Sequence, residues 1–240
     1  MGQIRILPTA DALADAAADQ FATLAASAVA ERGRFTVALS GGSTPEPVYR
    51  RLSREPWAKS IDWAHVDIFW GDERCVPPDH RDSNYGMVRE ALLDPAEVPA
   101  SSIHRIHGER PPSDAARAYE EEVGRILGRQ GRFDLILLGL GSDGHTASLF
   151  PGTSAVSERA RSIVPVWVEE VEAWRITLTL PVINSARDVI FLVSGSRKAD
   201  AIHRVLRGEQ LPAARVDPRR GTLTWLLDAD AAKGLPDELR

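Results

Sequence analysis

Cysteine is nearly absent. Cys75 stands alone in 240 residues, which excludes an internal disulfide and a thiolate-based zinc site and fits a reducing compartment. No run approaches the roughly 18 apolar residues of a membrane span. A secretory leader is not expected either, because Asp11, Asp15 and Asp19 interrupt the alanine-rich N-terminal stretch where an apolar core would lie. Charge of one sign is not in large excess: 34 acidic against 29 basic side chains give −5 with neutral histidines, which argues against a general nucleic-acid binder. Lysine is scarce, with only Lys59, Lys198 and Lys233 among the 29 basic residues. That bias reads first as genomic base composition, yet it singles out each position that keeps an ammonium. Hydrophobic residues at 43% and charged residues at 26% sit near globular averages and exclude disordered, collagen-like and long coiled-coil chains. The expected location is the cytoplasm, with no membrane and no nucleic-acid partner.

What is present is an alternation of short apolar runs with helical patterns. Strands are expected at 4–7, 35–39, 66–70, 133–140, 163–168, 175–179, 189–193 and 223–227. A long helix is expected at 10–32, where Leu13, Ala17, Phe21, Leu24 and Ala28 recur on one face. Shorter helices are expected from a Thr44 cap with Pro45 in first position to about 52, from a Ser83 cap to about 92, from a Ser113 cap to about 129, and from a Ser196 cap to about 206. Strands apolar at every position need both faces covered. The pattern therefore predicts one α/β domain over 1–240, with a doubly wound, mainly parallel sheet and helices on both faces. The most irregular stretches, 76–82 and 207–221, leave room for a small excursion. In such folds ligands sit beyond the carboxyl ends of the strands. Three apolar strands run into polar segments there, at 40–44, 71–74 and 141–145.

The first segment, Ser40-Gly41-Gly42-Ser43-Thr44-Pro45, brings backbone N–H groups and hydroxyls to a helix start, a combination suited to a phosphate. It lacks the Gly-Lys-Ser/Thr ending of a Walker loop. A plain tight turn is the alternative. The segment Gly139-Leu140-Gly141-Ser142-Asp143-Gly144 matches the dinucleotide fingerprint, but Pro151-Gly152 stops any crossover helix and Asp143 opposes a pyrophosphate. Its chemistry lies instead in Asp143 and His145, a carboxylate positioned to orient an imidazole that takes a proton from water. Asp72, Glu73 and Arg74 follow another strand, where Arg74 can neutralise an anion or sit in a surface ion pair. Arg175 opens a strand. Lys198 stands in the first turn of a helix, against its dipole, which suggests an anion nearby. Cys75 has no evident base partner, His80 is a weak candidate, and His65, His104 and His107 read as structural.

Four segments together resemble the 6-phosphogluconolactonases: VALSGGSTPEPVY, WGDERCVPPDHRDSNYGMVREALL, LILLGLGSDGHTASLFPGT and RITLTLPVINSARDVIFLVSGSRKA. The resemblance spans nearly the whole chain. It implies a modified Rossmann-like fold and hydrolysis of 6-phosphogluconolactone in the oxidative pentose phosphate route. It implies neither a metal nor an organic cofactor. The chain is expected to be a monomer or weak homo-oligomer, although the sequence does not fix its oligomeric state. The resemblance also implies His145 as base for water with Asp143 behind it and Arg74 near the lactone. The substrate would be held by Ser40, Gly41, Gly42, Ser43, Asp72, Arg175 and Lys198. The related glucosamine-6-phosphate deaminases carry an acid five residues after the histidine, where this chain has Phe150. Three alternatives stay open: a deaminase-like sugar-phosphate isomerase, a non-catalytic sugar-phosphate sensor, and a metallohydrolase using Asp72, Glu73, His80 and His145.

Overall fold

The computed structural model describes residues 2–128 and 131–236. Nine strands and seven α-helices follow one another along these residues. In chain order they are β1 (Gln3–Leu7), α1 (Ala10–Arg32), β2 (Phe35–Leu39), α2 (Glu46–Leu52), α3 (Trp57–Ser60), β3 (Val66–Trp70), β4 (Asp72–Arg74) and α4 (Asn84–Val88). Then come α5 (Pro112–Leu127), β5 (Leu135–Leu138), β6 (Ile163–Val168), β7 (Ala173–Leu178), α6 (Leu180–Ile183), β8 (Asp188–Val193), α7 (Ala199–Leu206) and β9 (Thr222–Asp228). Six strands make one sheet in the order β1-β9-β8-β5-β2-β3, and every pairing in it is parallel. β2 and β5 are buried at every position, as a sheet covered on both faces requires. The chain leaves β2 outward to the edge strand β3 and returns to β5 on the other side of β2. The order therefore reverses between β2 and β5, the place where loops diverge and a crevice opens.

α1 shows why its residues make this element. Thr9 caps it by accepting from Ala12 N–H at 3.1 Å, and Gly33 ends it in the left-handed conformation at φ 76°. Its buried face, Leu13, Ala14, Ala17, Ala18, Phe21, Ala25 and Ala28, is mostly alanine, which lets a long helix lie close to the sheet. Leu24 of the expected stripe is only partly buried.

The segment 71–74 is not a loop. Asp72–Arg74 forms β4, which joins β7 and β6 in a second, three-stranded antiparallel sheet. Three expected caps also fall elsewhere. α2 starts at Glu46 with no side-chain cap, so Thr44 lies in the preceding turn. Pro112 opens α5 and leaves Ser113 inside it, because proline fits a first helical position whose N–H needs no partner. Ser196 belongs to a single 3-10 turn, Ser196–Lys198, that runs into α7 without a side-chain cap. Ser83 does cap α4, accepting from Gly86 N–H at 3.0 Å, although the following turns, Arg89–Leu93, are π-helical. The expected end of α5 near Arg129 lies outside the described residues.

His104 shows how a buried charge is managed in this fold. Its Nε2 lies 3.0 Å from Asp67 and its Nδ1 2.9 Å from Glu122, with the ring stacked 4.5 Å over Phe69. Burial alone would disfavour the imidazolium, but the two carboxylates more than offset it and hold the pKa above its ordinary value. A pKa raised by folding adds stability that is complete at low pH and fades as pH climbs through the folded value. Replacing His104 by Gln should therefore cost roughly 1.5–3 kcal/mol at pH 5.5, and clearly less at pH 9. Urea midpoints of both proteins at both pH values check this, and an equal loss at the two would contradict it.

Candidate active site

The carboxyl ends of β2, β5 and β8 meet β4 around a cleft of about 230 Å³. Its wall includes Ser40, Gly41, Gly42, Ser43, Asp72, Arg74, His145 and Lys198, so eight of the ten expected site residues converge there. Asp143 stands behind His145 rather than in the wall. Arg175 stands one strand further out, directly opposite Arg74 in the β4–β7 pairing.

The 40–43 loop is built differently from expectation. The Ser40 N–H is already used, donating to Tyr49 Oη at 3.1 Å, while that hydroxyl donates back to the Ser40 carbonyl at 2.7 Å. This pair on α2 fixes the start of the loop. The N–H groups of Gly41, Gly42 and Ser43 have no acceptor among the described residues, and Gly42 sits at φ 104°, a conformation that favours glycine. α2 has only seven residues. The free N–H groups, more than its dipole, therefore make this loop fit for an anion.

The 139–145 loop presents the histidine. Asp143 Oδ1 accepts from the His145 backbone N–H at 3.1 Å and lies 2.6 Å from His145 Nδ1. A carboxylate on Nδ1 keeps the proton of the neutral ring there and leaves the lone pair on Nε2. Nε2 has no protein partner among the described residues, and the residue faces the cleft. Gly141 is required by this contact, since a Cβ there would lie 2.1 Å from His145 Nδ1 and 2.5 Å from Asp143 Oδ1. The ring is stacked 4.0 Å from Phe150 on its other side.

The second sheet supplies the back of the cleft. Asp72 is buried and accepts from Ser148 Oγ at 2.6 Å, while Ser148 N–H donates to Thr177 Oγ1 at 3.2 Å. These bonds stitch the histidine loop to β4 and β7. Arg74 donates from Nη1 to the Asp82 carbonyl at 2.5 Å. Arg74, Arg175 and Lys198 form no ion pair among the described residues, unlike Arg50, Arg105 and Arg204, each of which has a glutamate. Burial lowers the pKa of Arg175, and Arg74 adds to the effect. Burial likewise lowers that of Lys198, and Arg197 adds to it while Asp143 opposes it. These cations are held short of a counter-charge.

Glu73 points away from this set. Its carboxylate accepts from the N–H groups of Arg74, Asn84 and Tyr85 at 2.8, 2.7 and 2.7 Å, and burial pushes its carboxyl pKa up. A metal set of Asp72, Glu73, His80 and His145 does not assemble, and no other cluster of three such ligands occurs among the described residues. Cys75 lies beside the site, and burial pushes its thiol up to about 11, which suppresses a thiolate. Asn84 and Ser194 also line the cleft. Asn84 had been legible only as the residue after a helix cap.

The Glucosamine-6-phosphate isomerases/6-phosphogluconolactonase family model matches residues 8–225. The chain belongs to that family. It is 43% identical over 217 residues to 6-phosphogluconolactonase of Synechocystis sp., covering 87% of this chain and 88% of that protein. The enzyme of the same name from Haemophilus influenzae is 38% identical over 82% of this chain and 86% of its own. Among solved structures, 6-phosphogluconolactonase from Trypanosoma cruzi superposes with a TM-score of 0.89 at 30% identity, covering 98% of this chain and 97% of that one. The six-stranded parallel sheet is therefore the Rossmann-like fold of this family.

Within the family fold, the unpaired Lys198 beside the free N–H groups predicts an inorganic phosphate site. Substituting Lys198 by Ala should weaken phosphate binding by roughly 10–150-fold, the range set by one charge-assisted hydrogen bond of about 1.5–3 kcal/mol. Substituting Lys59, which pairs with Glu55 on the surface, should leave it unchanged. Calorimetric titration checks both, and an unaltered affinity in the Lys198 variant would contradict the assignment.

Proposed function

We propose that this chain hydrolyses 6-phosphogluconolactone to 6-phosphogluconate in the cytoplasm, as a step of the oxidative pentose phosphate route, with His145 as the general base. The observation that carries this reading is His145 itself. It faces the cleft with Nε2 free, Nδ1 held by Asp143, and Phe150 rather than an acid against its ring. The relatives from Synechocystis sp. and Haemophilus influenzae, both named 6-phosphogluconolactonase, support the reaction class.

The chemistry asks for little. A δ-lactone is an activated ester, so attack by water needs one base, one positioned water and donors for the oxyanion. Water adds to the lactone carbonyl as His145 Nε2 takes its proton, and Asp143 stabilises the imidazolium. Arg74 faces the oxygen that becomes negative. The tetrahedral intermediate collapses by breaking the bond from the carbonyl carbon to the ring oxygen, and the imidazolium returns the proton to that oxygen. One water is consumed, and the new carboxylic acid ionises in solvent. The phosphate at the far end of the substrate rests on the N–H groups of Gly41, Gly42 and Ser43, the Ser40 hydroxyl and Lys198, whereas Arg175, opposite Arg74, adds positive charge behind the lactone end. Asp72, oriented by Ser148, accepts from a sugar hydroxyl.

Phe150 separates this reading from a deaminase, in which an acid at that position would join the proton transfers. A sugar-phosphate sensor would need the phosphate loop but not the Asp143–His145 contact. Replacing His145 by Ala should lower turnover of freshly generated 6-phosphogluconolactone by about 10²–10⁴-fold, with phosphate affinity retained. Asp143→Asn keeps the shape but loses the charge and the tautomer preference, and should fall between wild type and the His145 variant. Rates are read above the spontaneous hydrolysis. More than half of wild-type turnover in the His145 variant, or turnover of glucosamine 6-phosphate by the wild type, would contradict the proposal.

A further inference from the structure

Gly41 is a glycine for a reason its own backbone does not supply. Its φ lies outside the left-handed region, so no positive φ calls for glycine there. What forbids a side chain is Asn84. A Cβ built on Gly41 would lie 1.7 Å from Asn84 Oδ1 and 2.3 Å from its Cγ.

Asn84 is 2% exposed and is gripped from the other side. Its backbone N–H donates to Glu73 Oε1 at 2.7 Å, and its Nδ2 donates to the Asp72 carbonyl at 2.8 Å. Its Oδ1 is buried without a hydrogen-bond partner among the described residues. A buried acceptor left unpaired costs stability, so an amide kept in that state needs an explanation beyond stability. Its position offers one. The Asn84 side chain is wedged between two parts of the cleft with different tasks: the 40–43 loop, with its free N–H groups, and β4, with Asp72 and Arg74. The Asn84 amide spans the gap between them by a hydrogen bond at one end and by van der Waals contact at the other.

We propose that Asn84 is a positioning residue that sets the distance between the phosphate loop and β4. Anchoring of the substrate phosphate then places the lactone carbonyl against Arg74 and His145. The inference rests on the function proposed above. Remote binding energy accelerates a reaction only if a stiff connection carries it to the reacting centre, and a misplacement of about 1 Å costs on the order of 10²-fold.

The test compares Asn84→Ala, Gly41→Ala and the double variant on 6-phosphogluconolactone and on unphosphorylated gluconolactone. Inorganic phosphate inhibition and the melting temperature are measured alongside. In Asn84→Ala, kcat on the phosphorylated lactone should drop about 10–100-fold. The phosphate inhibition constant and the efficiency on the unphosphorylated lactone should stay within about threefold, a split that mere loss of fold stability would not produce. Gly41→Ala should lose activity by collision with Asn84, and the double variant should be no worse than Asn84→Ala, because the new methyl enters the vacated space. Equal losses on the two lactones, an unchanged kcat, or strictly additive losses in the double variant would overturn the positioning role alone. A wild type with no preference for the phosphorylated lactone would instead overturn the underlying function, and the positioning role with it.

Discussion

The reversal of strand order between β2 and β5 is the constraint on which the rest of the molecule depends. Parallel strands send every crossover to the same edge of the sheet, so the segments after β2, β5 and β8 all emerge together. At the reversal the flanking connections turn apart, and a crevice stays open without any side chain having to hold it. Each segment then contributes a different chemistry: free backbone N–H groups from 40–43, the imidazole from 139–145, and the ammonium of Lys198 after β8. None of the three is near another in sequence. Their meeting follows from register, which is why an irregular-looking set of loops makes one site.

The electrostatics of the two sheet edges differ in the same spirit. At the edge opposite the cleft, Arg32 and Arg187 share the buried Asp134. Arg34 donates to the Ile126 carbonyl at the end of α5, and Arg132 donates to the Ser185, Ala186 and Arg220 carbonyls. Those cations are satisfied by a carboxylate or by carbonyl groups, two of them close to helix C-termini. Arg74 and Lys198 in the cleft wall and Arg175 on the next strand form no ion pair among the described residues, and burial works against the charge on Arg175 and Lys198. Cations left without an ion pair cost stability, an arrangement that suits the anionic ligand proposed above. The single buried carboxylate in the wall, Asp72, is tied to Ser148 rather than to any of them.

The large elements were legible in the sequence because they rest on periodicity. The stripe from Leu13 to Ala28 and the mostly apolar runs of β2, β5 and β8 state both the element and its burial. The glycine-rich turns after them locate most of the site. What escaped was short or polar. β4 is three residues long, and its polar side chains serve a strand whose face is the ligand site, so it looked like a loop. The strands of the β6–β7 hairpin were expected, but nothing in the sequence shows that they leave the main sheet and pair with β4. Thr44, Ser113 and Ser196 were misplaced as caps because a nearby proline or a 3-10 turn, not a hydroxyl, starts those helices. Asn84 escaped because its importance lies in a contact with Gly41 that no spacing encodes. The Ser40 N–H escaped because the sequence does not say that Tyr49 takes it.

Direct attack by water is the claim on which the chemistry turns, since the buried carboxylate of Asp72 lines the same cleft and offers a rival nucleophile. A single-turnover reaction in ¹⁸O-labelled water, with enzyme in excess over freshly generated 6-phosphogluconolactone, distinguishes direct attack by water from attack by Asp72 followed by opening of the mixed anhydride at the Asp72 carbonyl. If His145 activates water, the first turnover yields 6-phosphogluconate carrying one ¹⁸O in its carboxylate, and the protein stays unlabelled. Unlabelled product in that first turnover, with ¹⁸O appearing in Asp72, would show that an enzyme carboxylate attacks first and would contradict the mechanism.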